Sequence, residues 1–283
     1  MNKALIAIDR SKSFRVYLTI STDLVQEAAK IHDTTPLASA GLGRVLTAAG
    51  LMGIMLKDDD NKLTLHFKGD GPARQILATA YGDGRVKGYI SNPYVDLPLN
   101  DQGKLDVGGA VGKDGTLSVV RDLGLKEPYV GQIPLVSGEV AEDITAYYAT
   151  SEQTPTVCAL GVLVDPDLSI RCAGGYMIQL LPGATEQEIT MLEQNVAKAP
   201  SVTKLLQQGM GPREIMELVL QGFDPQVLDE YDVAYQCDCS RQRVERALLS
   251  MGRQELESLA KEEKCVEVNC QFCDKTYNVD VAK

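Results

Sequence analysis

The sequence predicts an α+β protein: a mostly antiparallel sheet with packed helices, then a helical linker, then a small C-terminal zinc-binding domain. Short runs in which apolar and polar residues alternate, separated by glycine turns, have the period of half-buried strands. One long run of small apolar residues marks a buried helix. After Pro182 the texture changes to capped helical segments, and five of the seven cysteines fall in the last 47 residues.

In chain order, Phe14, Val16, Leu18 and Ile20 alternate as a strand, and Asp23 to His32 reads as a helix. Thr35 followed by Pro36 supplies an N-cap with proline at the first helical position. The run Pro36 to Leu56 that follows approaches the length of a bilayer-crossing helix. Arg44 interrupts it, however, and its many small residues suit close packing against a sheet, so a core helix is expected. Leu63, Leu65 and Phe67 alternate again, and "KGDGPARQILATAYGDGRVKGYI" reads as turn, strand, turn, strand. Further short strands are expected through Val120. Ser137 can cap a helix carrying Val140, Ile144 and Tyr148, and "TVCALGVLVDPDLSIRCAGGYMIQLL" gives two long strands around an Asp-Pro-Asp turn.

Beyond Pro182, Thr185 and Glu188 form a capping box ahead of Ile189, Leu192 and Val196, which share one helical face. Ser201 caps a short helix, and Pro212 begins another with Ile215, Leu218 and Val219. Helices this short need tertiary support, so a linker docked on the first domain is expected. Ser240 can then cap a helix with Val244, Ala247, Leu248 and Met251 that ends at Gly252, with a further turn or two at Leu256 and Leu259. A hairpin follows, with Val266 and Val268 leading into the Cys270 to Cys273 turn and Tyr277 and Val279 leading out. The expected organisation is a domain over 1–183, a linker over 184–236 and a cysteine domain over 237–283.

Composition narrows the function. With 28 basic and 39 acidic residues the net charge is -11, so the averaged field repels nucleic-acid backbones and anionic lipid. Neither nucleic acid nor membrane is an expected partner. The N-terminal stretch shows no apolar core with a small-residue cleavage site, which points to the cytosol. The glycine turns "GDGP" and "GDG" lack the Lys-Ser/Thr ending of a phosphate-binding loop. The only histidines, His32 and His66, accompany no recognisable nucleophile motif, so no enzyme is expected.

Four cysteines form CxC (Cys237, Cys239) and CxxC (Cys270, Cys273) with 30 residues between the pairs. Two close thiol pairs can surround one Zn2+ tetrahedrally and leave no open position, the arrangement of a structural site. A segment of this size with few large apolar residues needs such a staple, because small domains bury too little surface to fold securely alone. Two readings stay open. The site is an inert zinc ribbon, or it is a switch, since thiolates oxidise and each pair is close enough in sequence to capture its partner.

The CxC, the gap and the knuckle "VEVNCQFCDKTYNVD", together with "FKGDGPARQILATA" and "CAGGYMIQLLPGA", resemble the redox-regulated heat-shock chaperones of bacteria, the thirty-three-kilodalton chaperonin family. The resemblance runs the length of the chain. It implies an ATP-independent holdase that prevents aggregation under oxidative and heat stress. In the reduced form one zinc sits on Cys237, Cys239, Cys270 and Cys273 and the chaperone is off. Oxidants such as hypochlorous acid, or peroxide with heat, pair Cys237 with Cys239 and Cys270 with Cys273. Zinc leaves, the C-terminal domain and linker unfold, the protein dimerises, and unfolding clients are held. Ile189, Leu192, Val196, Ile215 and Leu218 are the candidate client-contacting or regulatory surface.

Two alternatives belong to other classes. A constitutive zinc-ribbon interaction or nucleic-acid-binding module lacks a basic stripe, because 237–283 carries eight Lys/Arg against nine Asp/Glu. A thiol-disulfide oxidoreductase would place its CxxC at a helix N-terminus, whereas here the motif lies between hairpin strands. Of the remaining cysteines, Cys265 is expected to be unligated. Cys158 and Cys172 flank the Asp-Pro-Asp turn at similar distances and are candidates to face each other as free buried thiols.

Overall fold

The first hairpin is closed by one carboxylate. Between β1 (Lys3–Ile8) and β2 (Phe14–Ile20), buried Asp9 accepts the backbone N–H groups of Ser13 and Phe14, each at 2.7 Å. The computed structural model describes residues 3–262 and 265–280, in two compact units, Met1–Tyr235 and Gln236–Lys283.

In the first unit, β8 (Thr156–Val164), β9 (Ile170–Leu180) and β10 (Gln226–Asp232) join the first hairpin in an antiparallel sheet of order β10-β1-β2-β9-β8. A second sheet has the order β11-β5-β4-β3-β6-β7. Its strands are β3 (Lys62–Gly69), β4 (Gln75–Tyr81), β5 (Arg85–Ile90), β6 (Gly115–Asp122), β7 (Tyr129–Pro134) and β11 (Ala234–Tyr235), and only β11 runs parallel to its neighbour.

Four helices accompany the sheets: α1 (Thr22–His32), α2 (Pro36–Gly53), α3 (Val107–Val111) and α4 (Val140–Thr150). Helix α2 is the apolar run with Arg44 at its middle. It packs against β3, β4 and β5 on one side and β2, β8 and β9 on the other, which is why 16 of its 18 residues are buried. Small residues permit that approach: a Cβ on Gly43 would meet Val25 Cγ1 at 2.6 Å and Val162 Cγ2 at 2.9 Å. Arg44 is neutralised by an ion pair with Glu139. No helix among the described residues is long and apolar enough to cross a membrane.

The outer face of the five-stranded sheet carries a second apolar core. Leu5, Phe14, Val16, Leu18, Tyr176 and Ile178 point from the strands into a layer made by α5 (Glu186–Lys198), α6 (Val202–Gln207) and α7 (Pro212–Val219). The segment 184–236 is thus three helices followed by two strands, β10 and β11, which enter the two sheets. The sequence reading contains neither strand, nor the short helix α3, nor β7.

Two local readings need correction. Ser137 does not cap α4: the helix starts after Glu139, Ser137 Oγ accepts the Glu139 N–H at 3.1 Å, and buried Asp143 accepts the N–H groups of Val136 and Ser137. Cys158 and Cys172 do not face each other. The tight turn runs from Asp165 to Ser169, so the register sets Cys158 opposite Met177 and Cys172 opposite Leu163. Burial pushes both thiols above the ordinary cysteine range, which leaves them protonated and inert.

The second unit contains α8 (Arg241–Leu249), α9 (Arg253–Glu262) and the antiparallel hairpin β12 (Cys265–Asn269) with β13 (Thr276–Asp280).

Candidate metal centre

Each cysteine pair is positioned by a different local device. Cys237 and Cys239 lie on the segment leading into α8, whose first turn is fixed by Ser240 accepting the Arg243 N–H at 3.3 Å. Arg243 also pairs with Asp238, the residue between the two thiols. Cys270 and Cys273 occupy the turn of the β12–β13 hairpin. The Cys270 N–H donates to Lys275 O at 3.0 Å, and Cys270 O accepts the N–H groups of Cys273 at 3.2 Å and Asp274 at 2.8 Å. The chain turns back through Asp274 at φ +59°, and Asn269 Nδ2 donates to its carboxylate at 2.8 Å. Asparagine and aspartate tolerate this left-handed conformation and brace it with their side chains.

The two devices bring four sulfurs together. All four Sγ atoms lie within 4.8 Å of one another, and they are the only group of this kind found among the described residues. Cys237 Sγ lies 3.7 Å from Cys270 Sγ, and Cys239 Sγ lies 3.4 Å from Cys273 Sγ. A tetrahedron of sulfurs about 2.3 Å from a central ion has edges of roughly 3.8 Å, so the thiols are spaced to hold a metal ion. The donor set agrees with the spacing, because four soft thiolates select a soft or borderline cation.

Tyr277, on β13, completes the site. Its hydroxyl lies 3.0 Å from Cys239 Sγ. Burial pushes the Cys237 and Cys273 thiols above their ordinary value. Burial also opposes ionisation of Cys239, but hydrogen bonds from Tyr277 and from the neighbouring thiols outweigh it and hold Cys239 below the ordinary range. The same bond pushes the Tyr277 hydroxyl up to about 12, as expected for a donor beside an anion. The sequence alternation assigns Tyr277 to a strand face; nothing in it announces the hydroxyl's contact with a residue 38 positions away.

Cys265 is exposed at the open end of the hairpin, opposite Asp280, and lies outside the sulfur cluster. Among the linker residues singled out from the sequence, Leu192 and Ile215 are buried in the outer core, Val196 and Leu218 pack against it, and Ile189 is half-buried. His32 Nε2 lies 2.9 Å from Gly88 O and 3.2 Å from the Tyr235 hydroxyl, and His66 Nε2 lies 2.8 Å from Gln75 Oε1.

Comparison with known proteins agrees across the whole chain. Residues 2–280 match the model of the Hsp33 protein family. A 33 kDa chaperonin of Clostridium perfringens (strain SM101 / Type A) is 51% identical over 98% of this chain and 88% of its own length. One from Clostridium tetani is 45% identical over 100% of this chain and 96% of its own. The crystal structure of the 33 kDa chaperonin (heat shock protein 33 homolog) from Thermotoga maritima superposes with a TM-score of 0.91 at 37% identity, covering 99% of this chain and 95% of that one. From the sheets to the sulfur cluster, the chain belongs to the Hsp33 family, which is a family of chaperones and not of enzymes.

Proposed function

We propose that this chaperone is a redox-regulated, ATP-independent holdase whose second unit is folded by one zinc ion on Cys237, Cys239, Cys270 and Cys273. The observation that carries the reading is the convergence of four thiols in a unit where only Tyr277 and Val279 are buried apolar side chains among the described residues. So small a core cannot hold such a segment folded. Zinc, when bound, clamps four thiolates, which in zinc-finger peptides is worth about 10–16 kcal/mol near neutral pH.

Oxidation removes the ligands. The thiolates of Cys237 with Cys239, and of Cys270 with Cys273, each give two electrons per pair to peroxide, which takes up two protons from solvent and leaves as two waters per disulfide formed. Thiolates no longer face the ion, and the second unit is left with its two apolar residues. Tyr235, the last residue of β11, lies two positions before Cys237. Loss of order there passes into the linker. Undocking of α5 to α7 uncovers Ile189, Leu192, Val196, Ile215 and Leu218 together with Leu5, Val16, Leu18, Tyr176 and Ile178 on the sheet. Surface of that kind holds unfolding clients in the cytosol and dimerises. The acidic balance of the chain leaves nucleic acid and membrane outside this role.

The test measures zinc content, free thiols and suppression of client aggregation on one sample before and after peroxide with mild heat, then after dithiothreitol. About one zinc per chain is expected to leave as four thiols disappear and suppression rises, all reversed by the reductant. Zinc release without any gain in suppression would overturn the proposal.

A further inference from the structure

Three methionines lie in the linker region: Met191 on α5, Met210 between α6 and α7, and Met216 on α7. Three methionines of the first unit are sealed away: Met52, Met177 and Met216 are at most 3% exposed. Met191 is half-buried, as are Met55 and Met210, and presents two faces. One lines an open groove of about 430 Å³ with Glu186, Gln187, Thr190 and Gln194, so solvent reaches the side chain. The other covers Gly222, in the turn after α7: Met191 Cε and Sδ lie 2.7 and 3.8 Å from where a Cβ on Gly222 would stand. Gly222 has φ +90°, which favours glycine and leaves bare backbone for the thioether to rest on. Four residues further along the same face of α5, Asn195 Nδ2 donates to Val219 O at 3.3 Å and Gln221 O at 2.9 Å. Met191 and Asn195 thus form one seam that fastens α5 to the end of α7.

We propose that Met191 is a site of sulfoxidation, and that the sulfoxide opens the seam between α5 and the Gly222 turn in a way thiol reductants do not reverse. It rests on the proposed redox-regulated holdase, for which the family resemblance implies hypochlorous acid as an activating oxidant. The sulfur donates an electron pair to the chlorine of hypochlorous acid. The O–Cl bond breaks and hydroxide leaves; water oxygen then displaces chloride from sulfur and releases two protons, one of which neutralises that hydroxide, so sulfur loses the two electrons that chlorine gains. The product places a polar S=O where a flexible apolar tip rested on backbone. Dithiothreitol reopens the disulfides, whereas the sulfoxide waits for methionine sulfoxide reductase. The chaperone would then return to its closed state in two stages, thiols first and linker second.

The test treats full-length zinc-loaded protein with hypochlorite, restores it with dithiothreitol and zinc, and follows tryptic cleavage at Lys198 and Lys204, both exposed in the linker. Mass mapping is expected to find one added oxygen on Met191, with linker cleavage roughly twofold or more faster than in untreated protein and restored by methionine sulfoxide reductase. Met191→Leu keeps the apolar contact and should return fully to the slow rate after the same treatment. Met191→Gln, a polar mimic, should be cleaved faster without any oxidant. A Met191 sulfoxide whose linker is cleaved at the untreated rate overturns the inference, as does a Met191→Leu protein that behaves like the parent. Because cleavage is read without clients, failure of the chaperone reading would show separately, as absent aggregation suppression in the oxidised protein before reduction.

Discussion

At the residue scale, the contact that most directly tunes the sulfur cluster is Tyr277 on Cys239. A hydroxyl 3.0 Å from one sulfur stabilises its thiolate, and groups that orient and hydrogen-bond a ligand typically change metal affinity 10–100-fold. Tyr277→Phe keeps the ring, with Lys275 Nζ 5.3 Å from its centre, and removes only the donor. Metal retention should fall by about tenfold in competition with a chromophoric chelator, with the far-ultraviolet circular dichroism unchanged. Equal retention by the two proteins would show that the four sulfurs hold the ion without this bond. The sign with pH follows from the same chemistry: ligands must be deprotonated to bind, so retention weakens as pH falls.

At the scale of elements, α5 shows what a cap contributes to a docked helix. The capping box is complete: Thr185 Oγ1 accepts the Glu188 N–H at 3.3 Å, and Glu188 accepts the Thr185 N–H at 2.8 Å. Those hydrogen bonds hold the Glu188 carboxyl below its usual range, so it stays charged at the positive end of the helix. Thr185→Ala removes one half of the box at a cost of about 1 kcal/mol, which should speed amide exchange in α5 about fivefold while β2 and β9 keep their rates. Such local signals are what the sequence displays well: the Thr185 box, Thr35 ahead of Pro36, and the alternation into and out of the Cys270 turn each depend on residues within a few positions of one another. Elements defined by distant partners are illegible for the same reason. In β10 only Val227 and Tyr231 are even half-buried, because the strand sits at a sheet edge and owes its conformation to pairing with β1. The opposition of Cys158 to Met177 depends on where the turn tightens and on a register shift at Leu163/Val164, neither of which spacing alone reveals.

At the scale of the whole molecule, the two units rest on different physics, and removing the metal should separate them. The first has two apolar cores, one around α2 between the sheets and one under α5 to α7, each built from more than a dozen buried side chains. Burial on that scale supports a domain without any ion. The second offers Tyr277 and Val279. Its hairpin amides, including the Cys270 N–H bound to Lys275 O, are expected to be protected only while a metal ion on the sulfur cluster holds the turn. A chelator added to fully reduced protein should therefore bring exchange across β12 and β13 close to the rate of an unstructured peptide, leave β2 and β9 protected, and do so with no oxidant present. Hydrogen exchange read by mass spectrometry resolves these segments in one experiment. Persistent protection of β12 and β13 in the stripped protein would mean that the hairpin folds on its own side chains, and metal loss could then not be the step that sets the linker free.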